Sequence, residues 1–294
     1  MKIPANLSIF PYSPAGVLRV TGADAKTFLQ GQFTNDLNPI APGRSVYGLW
    51  LDRKGKVIAD GNVIQAADAS EFWIVSITCP AAVIEPHLGG HIIADDVALA
   101  DETGSWRGIS IIGAGAGTWL AAESRAGLVF PGRRDSGENW EWIFSGADSS
   151  SATAAVLGAR LAGADEIERM RIASGIPSVP GDIGPADLPN EGGLDRDAIS
   201  YSKGCYLGQE VMARIKSMGR VRRALVRVRG SGPPPRLPAA LWRGDRREGE
   251  LRSAVADAGG FAGLALVSTA AVSAGGALSL ALGAVPTVEI APGL

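Results

Sequence analysis

YSKGCYLGQEVMAR, residues 201–214, is the most informative segment of this 294-residue chain. Gly204 and Gly208 bracket three residues that begin with Cys205, so the backbone there can turn sharply or approach a ligand closely. Lys203 precedes the cysteine by two positions, and its charge would favour a thiolate if the two side chains converge. Glu210 stands where a following helix would begin, and an acid in the first turn suits the helix dipole.

The residues alone leave two interpretations of Cys205 open. A cysteine beside a turn is often a small, buried apolar residue with no chemical role. A cysteine close to a cation is instead a candidate for a reactive thiolate. Lys203 and Glu210 have an equally plain alternative, which is a solvated surface ion pair that contributes little to stability.

The composition is that of a globular protein, with 46% hydrophobic and 20% charged residues. Basic and acidic residues nearly balance, at 28 against 30, so the overall charge predicts no polyanionic partner. Two cysteines and two histidines are too few for a disulfide scaffold or a four-thiolate cluster, which predicts a reducing, cytoplasmic compartment and no metal site. The N-terminal residues MKIPANLSIF lack a signal-peptide core, and no long uninterrupted apolar run occurs, so no membrane contact is expected.

The chain upstream of this segment mixes strands and helices irregularly, which favours an α+β class over a doubly wound sheet. Thr21–Asp24 predicts the start of a helix that buries Phe28 and Leu29. Asp52–Gly55 separates two strand-like runs and predicts a hairpin turn. A long helical pattern covers Ala152–Ser174. We therefore expect mixed antiparallel sheets flanked by helices.

The segment GSGPPP at 230–235 marks the clearest boundary, because three consecutive prolines fit neither a helix nor a central strand. Short β-type runs follow at Ala262–Val267 and Leu278–Leu282 and predict a small antiparallel β-barrel. We divide the chain into residues 1–229, which are expected to form two subdomains, and a C-terminal barrel domain at 230–294. With about 100–200 residues per domain, two or three domains fit the length.

The segment at 201–214 resembles the signature K-G-C-Y-x-G-Q-E of the YgfZ family, a branch of the folate-binding aminomethyltransferase superfamily. The matching residues are Lys203, Gly204, Cys205, Tyr206, Gly208, Gln209 and Glu210. Further segments resemble other parts of the superfamily. They are Val20–Ala25 with Phe28–Gln32 and Thr34–Asp36, Asp52–Lys56 with Asp60, Arg171–Pro177, Pro189–Glu191, and Gly249–Ser253 with Gly263–Leu266.

This resemblance implies three small domains around a central hole that binds tetrahydrofolate or a derivative. It favours the functional interpretation of Cys205 near the rim of the hole, with Lys203 stabilising its thiolate. It also implies a role beside iron–sulfur enzymes or their assembly proteins, including enzymes that modify tRNA. The residues expected to contact folate are Asn35, Asp36, Arg171, Glu191, Gly204, Tyr206, Gly208, Gln209, Glu210 and Arg214.

The chain departs from the superfamily pattern at two places. Glycine-cleavage aminomethyltransferases have R-L-E-A-G at Arg171–Gly175, so their pterin-binding glutamate falls on Ala173, whose methyl group accepts no hydrogen bond. Relatives often carry an arginine near His91–Val97, and this chain has none there. No counterpart of the acid that assists aminomethyl transfer stands out, and Glu85 is interpreted as a surface residue of a helix. Weaker folate binding and no aminomethyl transfer are therefore expected.

Two other functions compete with an accessory role. A folate-dependent one-carbon transferase or demethylase would need a carboxylate directed at the folate nitrogen. An RNA-binding module would use the basic segment, whose seven cations are Arg214, Lys216, Arg220, Arg222, Arg223, Arg227 and Arg229. The strand arginines alternate with apolar residues, which predicts one shared face that is either solvated or part of an anion site. Because the basic segment has no aromatic residue for base stacking, only weak electrostatic contact with RNA is expected.

Overall fold

The computed structural model describes residues 3–122 and 125–291, and over these ranges the chain forms three β-sheets with helices packed against them. The strands are β1 (Ser8–Tyr12), β2 (Gly16–Thr21), β3 (Ser45–Leu51), β4 (Val57–Gln65), β5 (Glu71–Ser76), β6 (Ala98–Asp101), β7 (Trp106–Ile112), β8 (Leu128–Pro131), β9 (Asn139–Ser145), β10 (Arg160–Leu161), β11 (Arg223–Ser231), β12 (Ala239–Arg243), β13 (Arg246–Asp257), β14 (Gly260–Ser268), β15 (Ala277–Leu278) and β16 (Val288–Ile290). The helices are α1 (Ala25–Gln32), α2 (Ala81–Gly89), α3 (Ala116–Ala121), α4 (Ser149–Ala155), α5 (Ala164–Ala173), α6 (Gln209–Met218) and α7 (Thr269–Ala274).

The first sheet has the order β3-β4-β5-β2-β6, and its paired strands are all antiparallel. Phe28 and Leu29 on α1 are buried against it, as predicted, together with Phe33. The predicted hairpin between β3 and β4 is also confirmed. Asp52 Oδ1 accepts hydrogen bonds from the backbone N–H of two turn residues, and Gly55 adopts a φ of 72° that favours glycine.

The second sheet has the order β10-β1-β7-β9-β8, with β1 and β10 parallel and the other pairs antiparallel. The long helix predicted over Ala152–Ser174 is wrong. The chain leaves α4 after Ala155, passes Gly158 with a φ of 86°, pairs β10 with β1, and only then enters α5. The left-handed turn at Gly158 explains the interruption, because it cannot continue a right-handed helix.

The third sheet forms a nearly closed barrel with the order β12-β13-β14-β11-β16-β15. An antiparallel bridge between Trp242 and Ser279 brings its two edges together. The strand β11 belongs to this barrel and spans residues 229 and 230, where the sequence division falls. A Cβ at Gly230 would lie 2.2 Å from the ring of Phe261, which pairs with Gly230 across β11 and β14, so a side chain at this position would displace the ring.

These sheets confirm the predicted α+β class with a C-terminal barrel. Helix α5 contacts β13 and β14 of the barrel, while the segment after it runs beside the first sheet. The chain between α5 and β11 therefore joins the sheets, and the candidate site lies along it. Within residues 3–122 and 125–291, no helix has the length and apolar character needed to cross a membrane.

Candidate functional site

A narrow pocket lies where the first sheet, the segment after β8 and the segment after α5 meet, and we call it the central pocket. Its free volume is about 40 Å³, close to the roughly 30 Å³ that one water molecule takes in the liquid. Polar and charged side chains converge on it from separate elements of the chain. They are Tyr47, Asp60, Asn62, Thr78, Arg133, Arg134, Arg171 and Ser178.

Asp60 on β4 is the buried carboxylate of the central pocket, with 9% exposure. The Tyr47 hydroxyl donates to its Oδ2 at 2.9 Å, and the Ser76 hydroxyl donates to its Oδ1 at 3.2 Å. Burial raises the pKa of Asp60 from the ordinary 3.8 to about 6, although these hydroxyls and Arg133 oppose the shift. Buried carboxyls with a raised pKa in a pocket are candidates for ligand binding or proton transfer.

Two arginines enter the central pocket from the segment between β8 and β9. The Arg133 guanidinium carbon lies 3.9 Å from the centroid of the Tyr47 ring, and the same side chain pairs with Asp197. Arg134 donates from Nε to Glu141 at 3.1 Å, while its buried Nη2 has no hydrogen-bond partner among the described residues. A buried donor without a partner is costly, so Arg134 Nη2 is a candidate contact for an acceptor on a ligand.

Arg171 has a structural position that the sequence did not indicate. Its Nε, Nη1 and Nη2 make five hydrogen bonds, which equals the number of N–H donors on a guanidinium. The acceptors are both carboxylate oxygens of Glu168, the carboxylate of Asp182, the carbonyl of Ile176 and the hydroxyl of Ser253. Arg171 therefore ties α5 to the following segment and to the barrel, and it has no N–H left to donate to a ligand.

Asp182→Ala is expected to lower the free energy of unfolding by about 3–5 kcal/mol, because it leaves the buried Arg171 charge without its buried partner. Asp182 is fully buried and also accepts from Ser178 and Ser253. The matched control is Glu168→Ala, which removes a partner that is 36% exposed and should cost less than about 1 kcal/mol. Urea unfolding curves measure both values, and equal losses would contradict the assignment.

Glu191 is likewise buried in an ion-pair network. Its carboxylate accepts from Arg223 Nε at 2.9 Å and Nη2 at 2.8 Å, and from the backbone N–H of Leu188 at 2.8 Å. Asp187 pairs with the same arginine and with Arg252 on β13. The predicted folate contact Glu191 therefore lies in the connection between the barrel and the segment that precedes the cysteine.

The motif at 203–206 forms a short arch, which we call the Cys205 arch. Lys203 and Tyr206 are buried at its two ends, while Gly204 and Cys205 are exposed at its top. The interpretation of Cys205 as a buried apolar residue is therefore wrong, and so is that of Lys203 as a solvated surface partner. Lys203 Nζ donates to the carbonyls of Gln30, Phe33 and Asn35, so it has no N–H left for the thiol.

The other predicted residues surround the Cys205 arch. Gly208 has a φ of 85° and precedes α6, and a Cβ there would lie 2.8 Å from the Asp52 carbonyl oxygen. Gln209 begins α6, and Glu210 and Arg214 are exposed on it. Asp36 follows α1, and its carboxylate accepts a hydrogen bond from the backbone N–H of Asn38. This hydrogen bond lowers the pKa of Asp36.

Asn35 connects the Cys205 arch with the central pocket. Its amide donates to the Tyr47 carbonyl at 2.9 Å and to the Asp197 carbonyl at 3.0 Å, and its own carbonyl accepts from Lys203 at 3.0 Å. Tyr47 and the Asp197 partner Arg133 both line the central pocket. Among the residues predicted to contact folate, only Arg171 lines the central pocket, and the half-buried Asn35 links that pocket to the Cys205 arch through its side chain and its backbone carbonyl.

Ala173 lies away from the central pocket. It is exposed in a wider outer cleft of about 660 Å³ between α5 and the barrel, beside Arg169 and Arg227. The strand arginines of the basic segment share a face, but that face is not a simple solvated one. Arg223 pairs with buried acids, and Arg227 donates to the Ala173 carbonyl at 2.8 Å.

Sequence reasoning assigned no ligand contact to four polar residues that line the central pocket, namely Asp60, Asn62, Arg133 and Arg134. One signal was available for two of them, because Asp60 and Asn62 alternate on β4 within an otherwise apolar strand. Across the described parts of the chain, no three His, Cys, Asp or Glu residues are grouped to hold a metal ion.

Comparisons with known proteins show which sequences and structures this chain is similar to. Residues 2–127 match the family model described as the GCVT N-terminal domain. The chain is 30% identical over 266 residues to the tRNA-modifying protein YgfZ of Edwardsiella ictaluri, covering 82% of this chain and 79% of that protein. It is 29% identical over 236 residues to the human mitochondrial iron–sulfur cluster assembly factor IBA57, covering 74% of this chain and 65% of the human protein.

A solved structure shows the same fold at low sequence identity. The crystal structure of the glycine cleavage system aminomethyltransferase T from Bartonella henselae superposes with a TM-score of 0.78 at 17% identity, covering 97% of this chain and 85% of that one. The structural similarity to the aminomethyltransferase extends over 97% of this chain, and therefore over all three sheets. The sequence similarity that shows the family is the 30% identity to YgfZ. The chain belongs to the YgfZ family and has the fold of the aminomethyltransferases.

Proposed function

We propose that this protein is a folate-binding accessory factor that supports the assembly or repair of iron–sulfur enzymes, including tRNA-modifying ones. The observation that carries the proposal is the pairing of a polar central pocket with an exposed thiol, connected through Asn35. The names of the relatives, a tRNA-modifying protein and an iron–sulfur cluster assembly factor, support the client class. A cytoplasmic location follows as part of the same proposal.

The central pocket offers the groups that a pterin ring requires. A pterin presents N–H donors and a carbonyl acceptor along one planar edge. Asp60 supplies a buried acceptor, Arg134 Nη2 supplies a buried donor without a partner, and Tyr47 supplies an aromatic face. These groups come from β3, β4 and the β8–β9 segment, whereas Ala173 lies in the outer cleft and takes no part in the proposed pterin site.

Arg133 controls access to these groups. Its guanidinium covers the Tyr47 ring and pairs with Asp197, and it lines both the central pocket and a more open pocket beside Asn190 and Arg196. Because the free volume of about 40 Å³ is far below the 300–1,000 Å³ of typical ligand sites, folate binding requires this side chain to move. An anionic folate tail would then meet the cations Arg133 and Arg196.

Calorimetric titration with tetrahydrofolate tests the proposal. Tyr47→Leu removes the aromatic face and the hydroxyl donor to Asp60, and it should weaken binding about tenfold, equivalent to about 1.4 kcal/mol. Glu85→Gln on α2 is the matched control and should bind like the unaltered protein. Titrations with a tetrahydropterin fragment and with p-aminobenzoylglutamate separate the two ends of the ligand. The absence of any heat at millimolar tetrahydrofolate would rule out the folate proposal.

Asp60 also favours a second candidate function, a folate-dependent one-carbon transferase or demethylase. The sequence offered no acid for such a reaction, whereas the structure provides a buried carboxyl with a pKa of about 6 in the central pocket. Such a group can hold or accept a proton near neutral pH. Ammonia release from an aminomethylated lipoyl carrier in the presence of tetrahydrofolate discriminates the two functions. Turnover that Asp60→Asn removes would favour the enzyme.

RNA contact is a weaker part of the proposal. Arg214, Lys216, Arg220 and Arg222 are exposed on and after α6, the helix that follows the Cys205 arch in the chain. Cations in this arrangement attract phosphates without reading bases. We therefore assign them at most an electrostatic contact with the RNA substrate of a client enzyme.

A further inference from the structure

Lys203 occupies a cage of carbonyl oxygens at the end of α1. Its Nζ donates to the carbonyls of Gln30 at 2.7 Å, Phe33 at 2.5 Å and Asn35 at 3.0 Å. Carbonyls at a helix C-terminus have no partner within the helix and carry partial negative charge. The ammonium group therefore satisfies the Gln30 carbonyl, which the helix leaves open, and two further carbonyls just after the helix, and only 7% of Lys203 is exposed.

Further bonds fasten the two sides of the Cys205 arch to the same region. Before the arch, the Ser200 N–H donates to the Thr34 carbonyl at 3.0 Å. After it, the Leu207 N–H donates to the Gly31 carbonyl at 3.2 Å. The Tyr206 ring lies 5.2 Å from Lys203 Nζ and is buried beside it. The exposed thiol thus stands between two fixed ends.

We propose that Lys203 is a positioning residue that fastens the Cys205 arch to carbonyls in the last turn of α1 and in the residues just after it, and that it acts on the thiol through placement rather than through charge. This inference rests on the proposed function only in taking Cys205 as the functional thiol. The carbonyl cage accounts for all three ammonium N–H groups, so the thiol receives none of them. The lysine is needed because its side chain bridges the arch and a segment about 170 positions earlier in the chain.

Lysine suits this cage better than arginine does. An ammonium directs three N–H groups toward converging acceptors, whereas a guanidinium directs its donors within one plane. Lys203→Arg therefore keeps the positive charge but loses the geometry, and Lys203→Met keeps the apolar stem but loses the charge and the donors. The two variants separate placement from electrostatics.

Alkylation of Cys205 with iodoacetamide, followed by mass spectrometry from about pH 6 to about pH 10, reports the pKa of the thiol in each variant. Both variants should keep the thiol pKa within about 0.3 of the unaltered protein. Amide hydrogen exchange over residues 200–207 should accelerate at least tenfold in both, because the arch then opens locally. Neither measurement requires folate or a client enzyme, so each remains decisive if the proposed function fails.

A charge mechanism has a different signature. If the charge of Lys203 acts on the thiol, Lys203→Met should raise the thiol pKa by about one or more. Lys203→Arg should then leave both the thiol pKa and the amide exchange rate of residues 200–207 unchanged. Either of those results overturns the positioning role, as does unchanged exchange in both variants. Should Lys203→Met fail to fold, Lys203→Arg carries the test alone, because only the positioning role expects it to loosen the arch.

Discussion

Cys205→Ala is expected to abolish biological function while leaving the fold intact. Cys205 is exposed at the top of the arch, so the loss of its sulfur creates no cavity and removes no buried contact. Exposed substitutions usually change stability by less than about 0.5 kcal/mol, so the melting temperature should stay within about 2 °C. Complementation of a bacterial strain without its own YgfZ-family protein measures the function, and a thermal melt measures the fold.

The second cysteine provides the matched control. Cys79 is fully buried in the core of the first sheet, and burial raises its pKa to about 12, so it has no thiolate at neutral pH. Cys79→Ala should therefore lower stability by about 1 kcal/mol or more and leave complementation unchanged. Full complementation by Cys205→Ala would remove the thiol from the proposed function, and loss of folded protein would mean that Cys205 is a packing residue.

The sequence predicted the class of the fold and the glycine-bracketed turn that carries the thiol, because both depend on local patterns. The turn at Gly55, the helix that buries Phe28 and Leu29, and the glycine before α6 all follow from short-range geometry. The direction of Lys203 could not be predicted in the same way. Its partners lie about 170 positions away, and adjacency to Cys205 in sequence gives no information about which way a side chain points.

The candidate site was harder to predict than the fold for a related reason. Arg171 and Glu191 were expected to contact folate, yet both end in ion pairs whose partners come from the barrel or from the segment before it. The other two arginines of the central pocket, Arg133 and Arg134, follow β8 in a region where the sequence carries little pattern. Convergence of distant segments assembles this site, and only the tertiary fold reveals it.

Asp60→Asn is expected to stabilise the protein at neutral pH. The folded pKa of Asp60 is about 6, against an ordinary value of 3.8, so the folded state holds this proton more tightly than the unfolded chain does. Stability from this group is therefore complete below about pH 4 and is lost as the pH rises from about 4 to about 6. The loss is about 3 kcal/mol above that window. Asparagine does not ionise, so the variant does not lose this stability as the pH rises.

The same variant should lose folate. A charge-assisted hydrogen bond contributes about 1.5–3 kcal/mol, so replacing the carboxylate should weaken tetrahydrofolate binding about 10- to 100-fold.

Asparagine accepts through one oxygen only, so either the Tyr47 or the Ser76 hydroxyl loses its acceptor, and the net gain in stability at neutral pH should be about 1–2 kcal/mol. Urea unfolding should show the variant about 1–2 kcal/mol less stable than the unaltered protein at about pH 4, where only the lost hydrogen bond counts. Above about pH 6 it should be about 1–2 kcal/mol more stable, so the two stability curves cross. If the variant binds folate normally, Asp60 is not the pterin acceptor. If the variant is less stable at every pH, Asp60 is not a buried ionised group. A gain in stability accompanied by a loss of binding is the combination expected of a residue kept for its ligand, because a carboxylate that is costly to bury persists only where an ionised acceptor is needed.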